Sequence, residues 1–175
     1  MTRLLAVSGS LRRASVNTAL LRAAIALAPA GTAITLFDKL ASLPHFNPDI
    51  EHERPPAVDE WLCLLRDCDG IMIACPEYAH GVPGAFKNAL DWAVGCAELA
   101  PKPVALINTS ARAVHAHAAL VEILTTMGWR VIAEASPVIA VANQHDSVTG
   151  ISSDPALRAL LVAAIEALAR ATARE

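Results

Sequence analysis

Five consecutive apolar residues, Ile71-Met72-Ile73-Ala74-Cys75, constrain this chain more than any other stretch, because a strand with no polar alternate position has no face to give to water. Such a run is expected of a central strand in a parallel sheet covered by helices on both sides. The rest of the chain supplies the partners. Leu4-Leu5-Ala6-Val7, Ala33-Ile34-Thr35-Leu36-Phe37 and Val104-Ala105-Leu106-Ile107-Asn108 read as further strands. Trp129–Ala133 and Val138–Val141, interrupted by Pro137, read together as a last strand with a kink or edge character.

Helical spacing fills the intervals. One helix runs over Thr18–Leu27, one carries Val58, Trp61, Leu62 and Leu65 and ends near Asp69-Gly70, one spans Gly84–Cys96, and one carries Leu120, Val121, Ile123 and Leu124. In the last helix Asp154 is the cap, Pro155 the first residue, and Leu157, Leu160, Leu161, Ala164, Ile165 and Leu168 the apolar stripe. Leu43–Ile50 holds too many prolines for regular structure, and Glu51–Arg54 extends it as a surface loop. Five strands alternating with helices imply an α/β domain, residues 1–175, with a parallel sheet wrapped on both faces by right-handed crossovers. Apolar residues reach 54% while aromatics are only 4%, so alanine, leucine and valine must build most of the core, which suits helix-rich packing.

Several classes of function fall away. A net charge of −3 and a sequence pI near 6.1 leave no footprint for nucleic acid or an anionic membrane. No apolar run approaches the roughly 20 residues that cross a bilayer. Cys63, Cys68, Cys75 and Cys96 form no C-x-x-C pair and read as reduced thiols of a cytoplasmic protein. His115 and His117, two apart, diverge on a helix and make a poor metal pair, so no metal site is expected.

In parallel sheets ligands collect beyond the carboxyl ends of the strands. The first such loop, Gly9-Ser10-Leu11-Arg12-Arg13-Ala14-Ser15-Val16-Asn17-Thr18, joins a strand to a helix N-terminus with hydroxyls, backbone amides, two arginines and the positive end of a helix dipole at one place. That combination suits a phosphate. Ser15 doubles as a helix cap, but Ser10, Asn17 and Thr18 add donors beyond what a cap requires, and Arg12 and Arg13 add charge. Neither G-x-G-x-x-G nor G-x-x-x-x-G-K-[ST] occurs here, and no cysteine has an arginine six positions later.

The second loop opens the segment Pro76-Glu77-Tyr78-Ala79-His80-Gly81-Val82-Pro83-Gly84-Ala85-Phe86-Lys87-Asn88-Ala89-Leu90-Asp91-Trp92. Together with Gly9–Asn17 it closely resembles the NAD(P)H-dependent FMN reductases of the flavodoxin-like superfamily, which include quinone, azo-dye and chromate reductases. The resemblance implies a three-layer flavodoxin-like fold with strand order 2-1-3-4-5 and non-covalent FMN. It also implies NAD(P)H as hydride donor, a small acceptor such as a quinone, free flavin, azo compound or metal oxyanion, a ping-pong exchange, and a homodimer or homotetramer. By position, Ser10, Arg12, Ser15, Asn17 and Thr18 match the phosphate loop, and Pro76, Glu77 and Tyr78 the segment bordering the isoalloxazine. Gly81, Pro83, Gly84, Lys87, Asn88, Asp91 and Trp92 match the remainder, which in the family shapes the flavin loop and often a dimer-forming helix. Two departures stand out: Ala79 replaces the usual asparagine, and the third loop, Thr109-Ser110-Ala111-Arg112-Ala113, lacks glycine, leaving Ser110 as its expected contact.

The physical requirements agree: a flavin needs a dianion site, donors along one ring edge and an open ring face. Pro76 fixes a backbone angle while Glu77 and Tyr78 are expected to leave amide hydrogens available. His80 is a candidate for the substrate face. No acid–base catalytic residue is required, since the flavin carries the chemistry. A flavodoxin-type electron carrier and a scaffold that has lost flavin are the alternative readings.

Overall fold

The structure, a computed structural model, describes residues 1–96, 99–141 and 147–173. Five strands, β1 (Thr2–Ser8), β2 (Thr32–Phe37), β3 (Gly70–Ala74), β4 (Pro103–Ile107) and β5 (Arg130–Val131), form one sheet in the order β2-β1-β3-β4-β5, and every pairing is parallel. Six α-helices are described: α1 (Val16–Ala26), α2 (Pro56–Asp67), α3 (Gly84–Val94), α4 (Val114–Thr126), α5 (Val148–Ser153) and α6 (Pro155–Thr172). The flavodoxin-like order expected from the sequence is the order observed.

All five residues of β3 and of β4 are buried, as strands covered on both faces must be. On one face, Trp61 and Leu65 of α2, Phe86 and Leu90 of α3 and Leu120 and Leu124 of α4 pack on Leu5, Val7, Ile71, Ile73 and Leu106. On the other, Leu20 and Leu21 of α1, Ile151 of α5 and Leu161, Ile165 and Leu168 of α6 pack on Leu4, Ala6, Met72 and Ile107. The motif residues Asn88 and Trp92 face inward and hold the proline-rich segment: the Asn88 amide and the Trp92 indole both donate to the Pro44 carbonyl, at 2.9 and 2.8 Å. Phe46 meets Trp92 edge-on, and Trp92 is only 2% exposed, so it packs within the chain.

Four details differ from the sequence reading. The last strand is only two residues long, because Ala133–Ala135 turns into a 3-10 helix and Pro137 has no amide to donate. The Ser136 hydroxyl accepts from the Leu106 amide in place of a ladder carbonyl, and pairing resumes as a single bridge between Asn108 and Val138. Leu160 does not join the α6 stripe; it lies about 100° round the helix from Leu161 and is 44% exposed. Pro48–Glu53, read as loop, is a 3-10 helix with Asn47 as its cap, and α5 was not visible as a periodic pattern because it is six residues long.

Chain order reverses between β1 and β3, so the loops after them flank a crevice, and the loop after β4 borders the same place.

Candidate functional site

The first loop is tied internally by its own hydroxyls. Ser8 Oγ accepts from the Thr18 hydroxyl at 2.8 Å and from the Ser10 amide at 3.3 Å, and Ser10 Oγ accepts from the Arg12 amide. Ser15, buried, caps α1 by accepting from the Thr18 amide. The amides of Val16 and Asn17 have no partner among the described residues, leaving open donors at the positive end of an eleven-residue helix. Arg12 and Arg13 are exposed and form no ion pair among the described residues.

Gly9 carries this loop past the second. Its amide donates to Ala74 O at 2.9 Å, and a Cβ at this position would overlap Cys75 Sγ. Only a residue without a side chain lets β1 and β3 release their loops so close together.

In the second loop, Tyr78 and Gly81 exchange both backbone hydrogen bonds, Tyr78 N to Gly81 O at 3.1 Å and Gly81 N to Tyr78 O at 2.9 Å. The expectation of an open Tyr78 amide is therefore corrected: the tight turn engages it. The Glu77 amide has no partner among the described residues. The two central turn residues, Ala79 and His80, both take the left-handed conformation, with φ 49° and 58°, which asparagine and glycine adopt more readily than alanine. The Glu77 carboxylate reaches across to α4 and accepts from the His115 and Ala116 amides at 2.8 and 2.9 Å. The Ala116 amide above all holds this carboxyl below its usual pKa, against partial desolvation, with the His115 amide and the His115 and His80 rings acting in the same direction.

The third loop is built by Asn108, whose side chain accepts from the Ser110 amide and donates to Ala113 O, both at 3.0 Å. Thr109 then donates its hydroxyl to Asn17 Oδ1 at 3.0 Å, joining the first and third loops. Between the loops lies a pocket of about 320 Å³ lined by Asn17, Cys75, Pro76, Glu77, Ser110 and Arg112 among others. The structure thus brings together Asn17, Pro76, Glu77 and Ser110. Ser10, Arg12, Ser15, Thr18, Tyr78 and His80 lie outside the pocket lining, although the first four belong to the loop that carries Asn17. A larger hollow of about 520 Å³ lies between β5 and α6, away from the carboxyl-end loops.

Sequence reasoning missed Thr109 and Asn108 as organisers of the third loop and Glu77 as the cap of α4. It compared His115 with His117, whereas the His115 ring stacks on His80 at 4.2 Å between centroids. No local spacing signals a contact between separate loops.

A doubly wound parallel sheet with three carboxyl-end loops around one polar pocket defines a flavodoxin-like domain. Over 97% of its length the chain superposes on 98% of FerB, a flavoenzyme NAD(P)H:(acceptor) oxidoreductase from Paracoccus denitrificans, with a TM-score of 0.77 at 24% identity, a likeness of fold. Residues 2–145 match the family described as NADPH-dependent FMN reductase, and the chain belongs to that family. An NAD(P)H-dependent FMN reductase from Pseudomonas aeruginosa is 39% identical over 112 residues, covering 62% of this chain and 60% of the relative. A quinone reductase from Escherichia coli K12 is 37% identical over 110 residues, covering 61% and 58%. The chain thus spans about three fifths of the length of the curated relatives it matches.

Proposed function

We propose that the chain is an FMN-dependent oxidoreductase that takes reducing equivalents from NAD(P)H and delivers them to a small acceptor of the quinone type. The observation that carries this reading is the junction of open helix-terminal amides and a ring-sized pocket at the strand-order switch, in a chain of this family. The donor set fits FMN. The Val16 and Asn17 amides, the Ser10 hydroxyl and Arg12 supply neutral and charged donors for a phosphate dianion, while Ser15 and Thr18 hold the loop in shape. Pro76, the Glu77 amide and Ser110 border the pocket where the ring would lie.

When bound, FMN supplies hydride acceptance from NAD(P)H and reduction of the acceptor in two successive half-reactions. The protein's part is geometric and electrostatic. Asn17, fixed by Thr109, sets the distance between the phosphate loop and the pocket; Glu77, fixed by α4, sets the floor beside the ring edge; and Tyr78 and His80, both exposed, stand on the rim where a second molecule would enter.

Flavin retention tests the placement. Arg12→Ala with Ser15→Ala is expected to weaken FMN binding at least about tenfold, measured by fluorescence recovery of released flavin, with the fold retained by far-UV circular dichroism, because the first change removes a charge-assisted phosphate contact and the second removes the cap that shapes the loop. Unchanged retention would remove the phosphate from this loop. Bleaching of the flavin absorbance by NADH or NADPH under anaerobic conditions distinguishes a reductase from an electron carrier.

A further inference from the structure

Glu77, His80 and His115 come from two elements, the loop after β3 and the first turn of α4, and one potential ligand atom of each lies within 4.8 Å of the others. The imidazoles stack with 25° between their planes. Two features prepare the cluster. Glu77 Oε2 is fixed by two backbone amides while Oε1 has no hydrogen bond among the described residues, so the carboxylate is oriented and still has an oxygen to give. The paired hydrogen bonds of Tyr78 and Gly81 lock the left-handed Ala79-His80 backbone that brings His80 over His115.

The chemistry selects a cation. A carboxylate at the centre repels anions, and with neutral imidazoles the set carries one negative charge. Two nitrogens and one oxygen suit Zn²⁺ and its borderline neighbours better than Mg²⁺ or Ca²⁺, which take oxygen ligands. We propose that Glu77, His80 and His115 form a binding site for a divalent transition-metal ion of the Zn²⁺ type at the rim of the pocket.

Each ring nitrogen coordinates through a lone pair in its ring plane, so the stacked imidazoles must part on binding as the ligand atoms take up the roughly 3.3 Å spacing that zinc bonds of about 2.0–2.1 Å set in a tetrahedral site. Both rings are exposed, and neither makes a side-chain hydrogen bond among the described residues, so rotation about their side-chain bonds supplies the movement. Three protein ligands leave the remaining position to water. An ion there would clamp the loop after β3 to the start of α4.

Calorimetric titration of the tag-free full chain with Zn²⁺ at pH 7.5 tests this. One ion is expected to bind per chain with micromolar affinity or tighter, and His80→Ala and His115→Ala are each expected to weaken it at least about tenfold. Binding is expected to persist in His52→Ala, an exposed histidine elsewhere. Absence of binding, binding unaltered in both variants, or loss in only one of them overturns the proposal. The readout is independent of flavin: a chain that binds Zn²⁺ in this way but takes up no FMN retains the metal site and loses the reductase reading.

Discussion

At the scale of single residues, Glu77 and Gly9 each have one environment with a measurable signature. The Glu77 carboxyl titrates below its ordinary value of 4.5 because two amides of α4 stabilise its charged form. A folded pKa below the unfolded one contributes stability that is present above about pH 4.5 and lost as pH falls through the folded value. In urea unfolding, Glu77→Gln is therefore expected to lower the midpoint at pH 7, and the gap from the unaltered chain should narrow as the medium is acidified below pH 4.5. Gly9→Ala drives a methyl group into Cys75 Sγ and should cost about 1–3 kcal/mol, with partial recovery in Gly9→Ala/Cys75→Ala, since the second change removes the obstructing sulfur. Sequence alone marked Glu77 as a ring-border residue but could not show that its side chain caps a helix beginning far along the chain. That bond depends on two loops meeting.

At the scale of elements, the strands were legible because β3 and β4 are apolar at every position or nearly so, a pattern that tertiary packing reinforces. The α6 start was equally plain: Asp154 accepts from the Ala156 and Leu157 amides at 2.9 and 3.0 Å, with Pro155 at the first position. Asp154→Ala is expected to destabilise the fold by about 1 kcal/mol in chemical denaturation. The outer strand was not legible in full. Ile132 and Val138 have the composition of a strand, but the backbone between them leaves the ladder, and only three-dimensional context shows Ser136 replacing a main-chain acceptor. The loop after β1 occupied an intermediate position: its polar, hydroxyl-rich character was plain in the sequence, whereas its internal bonds between Ser8, Ser10, Ser15 and Thr18 depend on backbone geometry that composition does not specify.

At the scale of the whole molecule, the two faces of the sheet carry separate apolar layers, and the thiols report their integrity. Burial pushes the Cys75 thiol up to about 12 and the Cys68 thiol up to about 11, while Cys63 and Cys96 are only half-buried. Iodoacetamide at pH 8 is expected to modify Cys63 and Cys96 first, with Cys68 and Cys75 modified only on global unfolding, as read by peptide mass spectrometry. Early labelling of Cys75 would show that the pocket admits reagent through its floor. That the four cysteines form no C-x-x-C pair was plain from their spacing; which two are sheltered was not, because it depends on which strand end meets Gly9 and which helix end meets Lys102.

The shortness of β5 bears on how molecules meet one another. A sheet margin that offers continuous main-chain donors and acceptors invites a neighbour's strand to dock there and start a chain of copies. Here that margin is broken within a few residues by a helical turn and a proline, so an incoming strand would find mismatched partners and no register to follow.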